Sequence, residues 1–476
     1  MIRSIEEFIG SARWFGGKGQ VSSVVDVRRV GSLGSTDFDG TPYVGIELVT
    51  VAYAQGGSET YQLPVAYYSE RQDRLEHALI GMWEDDVLGT TVHAYDAVHD
   101  REVTILWLRA FDEGLQAEGL TFHRIPGYDL DLTTHSTLFS GEQSNSSLAF
   151  GDDSLMKVFR KVTPGDNPDI EIHAALTRSG NEHVAALYGW LEVEGSEETG
   201  GEPVHLAMLQ QFLRTASDGW ELALASVRDL FAEADLHADE VGGDFGGEAH
   251  RLGVATAEVH DALAGAFPTD TWGPPQLTTL AETMQRRLTE ATAAVPQLEP
   301  YAAALREKYD AVRHVATDEV VQRVHGDFHL GQTLRTVRGW KIVDFEGEPA
   351  RTLAERVGSD SPWRDVAGML RSFDYAAHAV SIDVEAGGHA NQIAYRAVEW
   401  ASRNQGEFLA GYVEASGRTS GSEISSEQRV LLEAYEADKA VYEAVYEARN
   451  RPDWIDIPLG AIARLTGRPS SPEENS

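Results

Sequence analysis

Apolar positions in the first half of the chain recur mainly at every second residue, and in the second half at every third or fourth. Val44 to Tyr53 (VGIELVTVAY) is rich in β-branched residues and partly alternates, and Thr60 to Tyr68 repeats the pattern, so both predict strands. Leu148-Ala149-Phe150 and Leu155 to Phe159 predict two more, joined at a Gly151-Asp152-Asp153 turn. Ala185 to Leu191 and His205 to Leu209 predict a further pair around an acidic loop. From Asp218-Gly219-Trp220 onward the period becomes helical. Helices are expected over Ala249 to Leu263, across Leu277 to Val312 with breaks at Pro296 and Pro300, from Arg364 through Phe373 and Tyr375, from about Gln392 to Tyr412, and through Leu431 to Arg449. The expected fold class is α+β, with residues 1–88 as one strand-rich unit, 89–207 as a second, and 208–476 as a helical unit.

One stretch interrupts the helical part with strand-like chemistry. Val324-His325-Gly326-Asp327-Phe328-His329-Leu330-Gly331-Gln332 leads into a predicted hairpin. Thr333 to Arg335 goes up, Val337 to Gly339 turns, and Trp340 to Val343 returns to Asp344-Phe345-Glu346. The hairpin should bring Gln332 beside Asp344, with Asp327 at the mouth of the preceding loop. This spacing fits phosphoryl transfer. Asp327 would accept the acceptor hydroxyl's proton, while Gln332 and Asp344 would hold Mg²⁺ against ATP phosphates. His-Gly-Asp in place of His-Arg-Asp, and Gln in place of Asn, point to a small-molecule kinase rather than a protein kinase.

Upstream residues supply the rest of a nucleotide site. The polar run Phe139 to Ser147, including Ser144, Asn145 and Ser146, leads into a strand as a phosphate-cradling loop would. Lys157 sits on the next strand among apolar residues and is expected to reach the phosphates. Its partner is expected to be Glu171, with Asp169 as the rival carboxylate on a helix that Pro168 could start. Arg160 and Lys161 are expected at the surface. Gln210, Gln211 and Phe212 follow a strand where a kinase hinge meets adenine, mostly through backbone. Arg13 to Gly19 lacks the frame of a nucleoside-triphosphate loop and reads as a turn or lid. His260 is expected to be a packed histidine, and Asp365 a helix cap that could also brace the catalytic loop. The tyrosines of the last long helix are expected in the core more than on a sugar platform.

Composition narrows the partners. A net charge of −37 opposes binding to nucleic acid or to an anionic membrane. With no cysteine, disulfides and thiolate metal sites are excluded, which is compatible with a cytoplasmic protein. No apolar run is long enough to span a bilayer, and the start lacks a signal peptide's apolar region. The tail from Gly467 to Ser476 has the composition of a disordered segment.

Three runs carry a family resemblance: Gln322 to Gln332, Asp344 to Pro349 (DFEGEP) and Arg364 to Phe373 (RDVAGMLRSF). They resemble the actinobacterial maltokinases, and the likeness extends from Arg13-Trp14-Phe15 to Ile457-Pro458-Leu459. The resemblance implies a eukaryotic-protein-kinase-like bilobal fold, as in aminoglycoside phosphotransferases, with a β-rich N-lobe, a helical C-lobe and an N-terminal cap. It also implies maltose as acceptor, maltose 1-phosphate as product, a role in α-glucan (glycogen) synthesis, and a possible complex with a trehalose-converting enzyme. Residue chemistry alone reaches only a neutral or cationic acceptor hydroxyl, leaving glucosamine and aminoglycosides as alternatives. A nucleotide-binding pseudokinase or interaction module would be favoured were Asp327, Asp344 or Lys157 missing, and all three are present.

Overall fold

A computed structural model describes residues 1–37, 42–139, 144–197, 199–233, 235–348, 352–383, 390–416 and 423–467. Ser140 to Gln143 of the polar loop, and the tail from residue 468, lie outside the described residues. The chain packs as two compact units, one of residues 1–174 with 185–214 and one of 175–184 with 215–476.

The first unit holds two antiparallel sheets. Helix α1 (Ile2–Ser11) precedes β1 (Ser22–Leu33), β2 (Tyr43–Tyr53), β3 (Ser58–Tyr68), β4 (Leu79–Asp85) and β5 (Thr90–Asp96), which order as β1-β2-β3-β5-β4. Helix α2 (Arg101–Glu113) follows. Then come β6 (Gln116–Ala117), β7 (Leu120–Arg124), β8 (Ser136–Leu138), β9 (Asn145–Phe150), β10 (Ser154–Phe159), β11 (Lys161–Val162), helix α3 (Pro168–Arg178), β12 (Leu187–Val193) and β13 (Val204–Gln211). The second sheet orders as β6-β7-β12-β13-β10-β9-β8.

The imperfect alternation of β2 has a packing cause. Val44, Ile46 and Leu48 enter a core shared with the second sheet, while Tyr43, Val49 and Val51 enter a separate core with Ile5 and Ile9 of α1. Covered on both faces, the strand needs apolar residues at both phases of its period. Trp14 and Phe15 are buried in the α1 core, and Lys18 donates to Arg13 O at 3.2 Å, so Arg13 to Gly19 is a turn anchored by aromatics.

The second unit is mainly helical. It comprises β14 (Ser217–Asp218), α4 (Gly219–Ala232), α5 (Gly246–Ala266), β15 (Asp270–Trp272), α6 (Pro274–Ala294), α7 (Ala302–Val312), β16 (Glu319–Val321), β17 (Thr333–Thr336), β18 (Gly339–Ile342), α8 (Leu353–Arg356), α9 (Trp363–Asp383), α10 (Ala390–Ala415), α11 (Ser426–Asn450) and α12 (Asp456–Thr466). The expected hairpin is β17–β18, paired Thr333↔Ile342 through Thr336↔Gly339. A 3₁₀ turn from Pro296 to Tyr301 separates α6 from α7, as the two prolines require. No helix among the described residues is long and apolar enough to cross a membrane.

Candidate active site

The stretch from Val324 to Gln332 is held by buried hydrogen bonds. Asp365 begins α9 and turns both carboxylate oxygens onto the loop, accepting from His325 N at 2.7 Å and Gly326 N at 2.8 Å. His260 donates to the same carboxylate at 3.0 Å and accepts from Tyr412 at 3.0 Å through its other nitrogen. Burial would raise the Asp365 pKa, but the His260 contact and the two N–H donors keep it below the ordinary value. His260 is thus a packed, hydrogen-bonded histidine, and Asp365 braces the loop that carries Asp327.

His325 donates Nε2–H to Val343 O at 3.0 Å and accepts from Asp327 N at 3.4 Å, tying the loop to the end of β18. Gly326 has φ +86°, a left-handed conformation that a side chain would strain. An arginine reaches this loop from α9 instead, since Arg364 donates to Gly326 O at 2.9 Å. Gly368 lets α9 approach the loop, because a Cβ there would stand 2.6 Å from Phe328 O.

The hairpin delivers its two expected side chains. Val343 N donates to Gln332 O at 3.0 Å, and Gln332 Nε2 donates to Asp344 Oδ2 at 3.2 Å. Asp344 has φ +66°, one of two non-glycine residues with positive φ among the described residues. Such a conformation persists where the surroundings over-determine it, commonly at a functional site. Glu346 adds a carboxylate oxygen within 4.8 Å of one from Asp344. Gln332, Asp344 and Glu346 offer oxygen donors, the chemistry that Mg²⁺ selects. Glu346 was not among the expected ligands, although its alternation with Asp344 across Phe345 was visible.

Asp327 lies in a groove of about 520 Å³ between α6 and α11. Lys439 of α11 donates to Asp327 Oδ1 at 3.2 Å, a contact the sequence reading missed. Burial would raise the Asp327 pKa, but Lys439 and His329 hold it below the usual value, so the group is a carboxylate at neutral pH. Burial lowers the His329 pKa. Its Nδ1 accepts from Gly331 N at 3.1 Å, so any proton it carries when neutral sits on Nε2. Tyr435 is buried and donates to Asp360 at 2.6 Å, whereas Tyr442 is 43% exposed and lines the groove. The last long helix therefore serves both core and groove.

In the first unit, β10 pairs with β9 and β13 and carries Lys157. Lys157 Nζ donates to Asp169 Oδ2 at 3.1 Å. The carboxylate set against the lysine is therefore Asp169, which corrects the expectation of Glu171. Asn167 caps α3 by accepting from Asp169 N and Ile170 N, and this fixes the helix phase. Asp169 then faces inward, while the half-buried Glu171 stands about 200° further round the helix.

The remaining expected nucleotide residues sit at the ends of β9 and β13. Ser146 Oγ accepts from Arg160 Nε at 2.8 Å inside the sheet, so its hydroxyl is structural, whereas Ser144 is exposed just before β9 and Asn145 opens that strand. Phe212 N donates to Asp153 O at 2.9 Å and Gln211 N to Ala186 O at 2.8 Å, so these two amides are not left for adenine. Gln210 pairs within the sheet with Leu155 and Leu187.

Comparison with known proteins shows what the chain resembles. A family model described as the maltokinase N-terminal cap domain matches residues 8–100, and one described as the phosphotransferase enzyme family matches residues 246–402. A glucosamine kinase of Streptacidiphilus jiangxiensis is 29% identical over 325 residues, 67% of this chain and 70% of that protein. Another, from Mycolicibacterium smegmatis, is 27% identical over 341 residues, 68% of this chain and 78% of that one. The solved structure of a glucosamine kinase in complex with glucosamine, ADP and inorganic phosphate has a TM-score of 0.67 at 21% identity, covering 98% of this chain and 99% of that one. At that identity the likeness shows the fold. The chain has a kinase-like fold, with one segment similar to the maltokinase N-terminal cap domain and another similar to the phosphotransferase enzyme family.

Proposed function

We propose that the protein is an ATP-dependent sugar kinase whose acceptor is maltose and whose product is maltose 1-phosphate. The acceptor hydroxyl oxygen would form a bond to the γ-phosphorus as the bridging oxygen leaves on ADP, with the hydroxyl proton passing to Asp327. Gln332, Asp344 and Glu346 are the residues that would hold Mg²⁺, which would supply charge neutralisation at the phosphates. Lys157, oriented by Asp169, would contact the phosphates. The nucleotide fits the bound ADP named for the structural neighbour.

The observation that carries the acceptor assignment is the pairing of charges in the groove. Asp327 faces Lys439 at 3.2 Å, Asp438 faces Arg287 at 2.7 Å, and Asp360 and Glu348 both face Arg364, at 3.0 and 3.3 Å. Three resident cations stand against these four carboxylates, so an ammonium group would meet less free negative charge here than at bare carboxylates. A neutral polyol would instead bond to the fixed ions, and Tyr442 and Trp272 in the lining offer apolar faces to its rings. The cap domain, described by its maltokinase model, supports the same reading.

Glucosamine is the second reading, favoured by the names of both relatives. ATP consumption against maltose, glucose, glucosamine and kanamycin separates them. Turnover of maltose well above the others is expected. Turnover confined to glucosamine would replace the maltose assignment, and no turnover with any sugar would remove the kinase reading.

A further inference from the structure

The strand that carries Lys157 does not stop at the edge of its own sheet. Residues 154–159 pair in the nucleotide sheet, and after one intervening residue Lys161 and Val162 pair with Tyr61 and Thr60 of β3 in the cap sheet. The intervening residue is Arg160, expected at the surface but only 1% exposed. Its carbonyl accepts from Gln62 N at 2.7 Å. Its guanidinium gives two bonds to Asp96 at the end of β5, at 2.8 and 3.1 Å, and one to Ser146 of β9 at 2.8 Å. It also lies 4.8 Å from the ring centroid of Trp14. One side chain thus joins two cap residues, Trp14 and Asp96, to the strand next to β10.

A fully buried ion pair is a poor way to gain stability, since apolar residues of similar volume commonly do as well. What such a pair provides is direction: a buried guanidinium held at two points, by Asp96 through Nη2 and by Ser146 through Nε, fixes position and angle where apolar packing would allow sliding. Here it fixes β9 and β10 at the register where Lys157 stands opposite Ser147 and Val158 opposite Ser146. We propose that Arg160 is a positioning residue through which the cap sets the placement of Lys157 and the start of β9, and so the affinity for nucleotide. The inference rests on the reading of Lys157 as the phosphate-binding lysine.

The test is nucleotide affinity, measured by titration calorimetry of the full chain with ATP and Mg²⁺ in the absence of sugar, alongside KM for the acceptor. Arg160→Met should weaken nucleotide binding roughly tenfold, the scale of changes transmitted through a packed network, and leave the acceptor KM unchanged. Arg160→Lys should recover part of the loss. Because a lone buried Asp96 could unfold the protein, the double variant Arg160→Met with Asp96→Leu is the decisive one: it removes both charges and should keep the fold. If that variant folds and binds nucleotide as tightly as the parent, the inference is overturned. Lys157→Ala is the control. Wild-type affinity in Lys157→Ala overturns the reading beneath the inference, whereas loss there with none in the Arg160 variants overturns the inference alone.

Discussion

Asp365→Asn isolates the brace beneath the catalytic loop. The carboxylate is 1% exposed and accepts three hydrogen bonds, from His325 N, Gly326 N and His260. An asparagine keeps the size but replaces one accepting oxygen with an NH₂ that must face a donor. Breaking one member of a buried charged network costs about 3–5 kcal/mol, and bonds to a charged group contribute about 1.5–3 kcal/mol each, so a loss of roughly 3–5 kcal/mol is expected. Urea unfolding should show it as a lower midpoint with an unchanged slope. The folded-state pKa of Asp365 lies below its unfolded value. Its stabilisation is therefore present above the unfolded pKa, about 3.9, and is lost as pH falls through the folded value. The difference between parent and variant should accordingly be full at neutral pH and shrink in acid. Displacing the loop by an ångström should also lower kcat about a hundredfold. A variant with the parent's midpoint and kcat at pH 7 would refute the reasoning.

Two further substitutions probe the chemistry. Asp344→Asn should fold normally yet lose at least about a hundredfold in kcat, because an amide cannot supply the metal's negative donor; parental rates at any Mg²⁺ concentration would sink the ligand assignment. Lys439→Met removes the cation that holds Asp327 ionised, so the acid limb of the kcat/KM profile should move to higher pH, whereas Lys439→Arg should leave it in place. An unmoved limb in Lys439→Met would show that the ion pair does not set that carboxylate.

What the sequence disclosed follows the range of the interaction concerned. The β17–β18 hairpin and the Gln332–Asp344 contact were legible because strand period and turn chemistry act within a dozen residues. The strand carrying Lys157 was legible on the same grounds. Lys439 at Asp327 was not, since 112 residues separate them and only the packing of α11 brings them together. The choice between Asp169 and Glu171 needed the phase of α3, which the Asn167 cap fixes and composition does not. Arg160 reads like its exposed neighbour Lys161; its burial depends on Asp96 and Trp14, far away in the chain. β2 looked only partly alternating because two cores cover it, a fact of layer order rather than of local pattern.

The central claim is that Asp327, and neither histidine beside it, takes the acceptor's proton. The measurement is kcat for Asp327→Asn, His325→Ala and His329→Ala in folded protein at saturating ATP and sugar. A positioned base contributes about a hundred- to ten-thousand-fold, so Asp327→Asn should lose activity in that range with KM values little changed. His329→Ala should lose far less, and the effect of His325→Ala should track the loosening of the loop that it ties to Val343. Retention of most turnover by Asp327→Asn, with its loss in a histidine variant, would contradict the account.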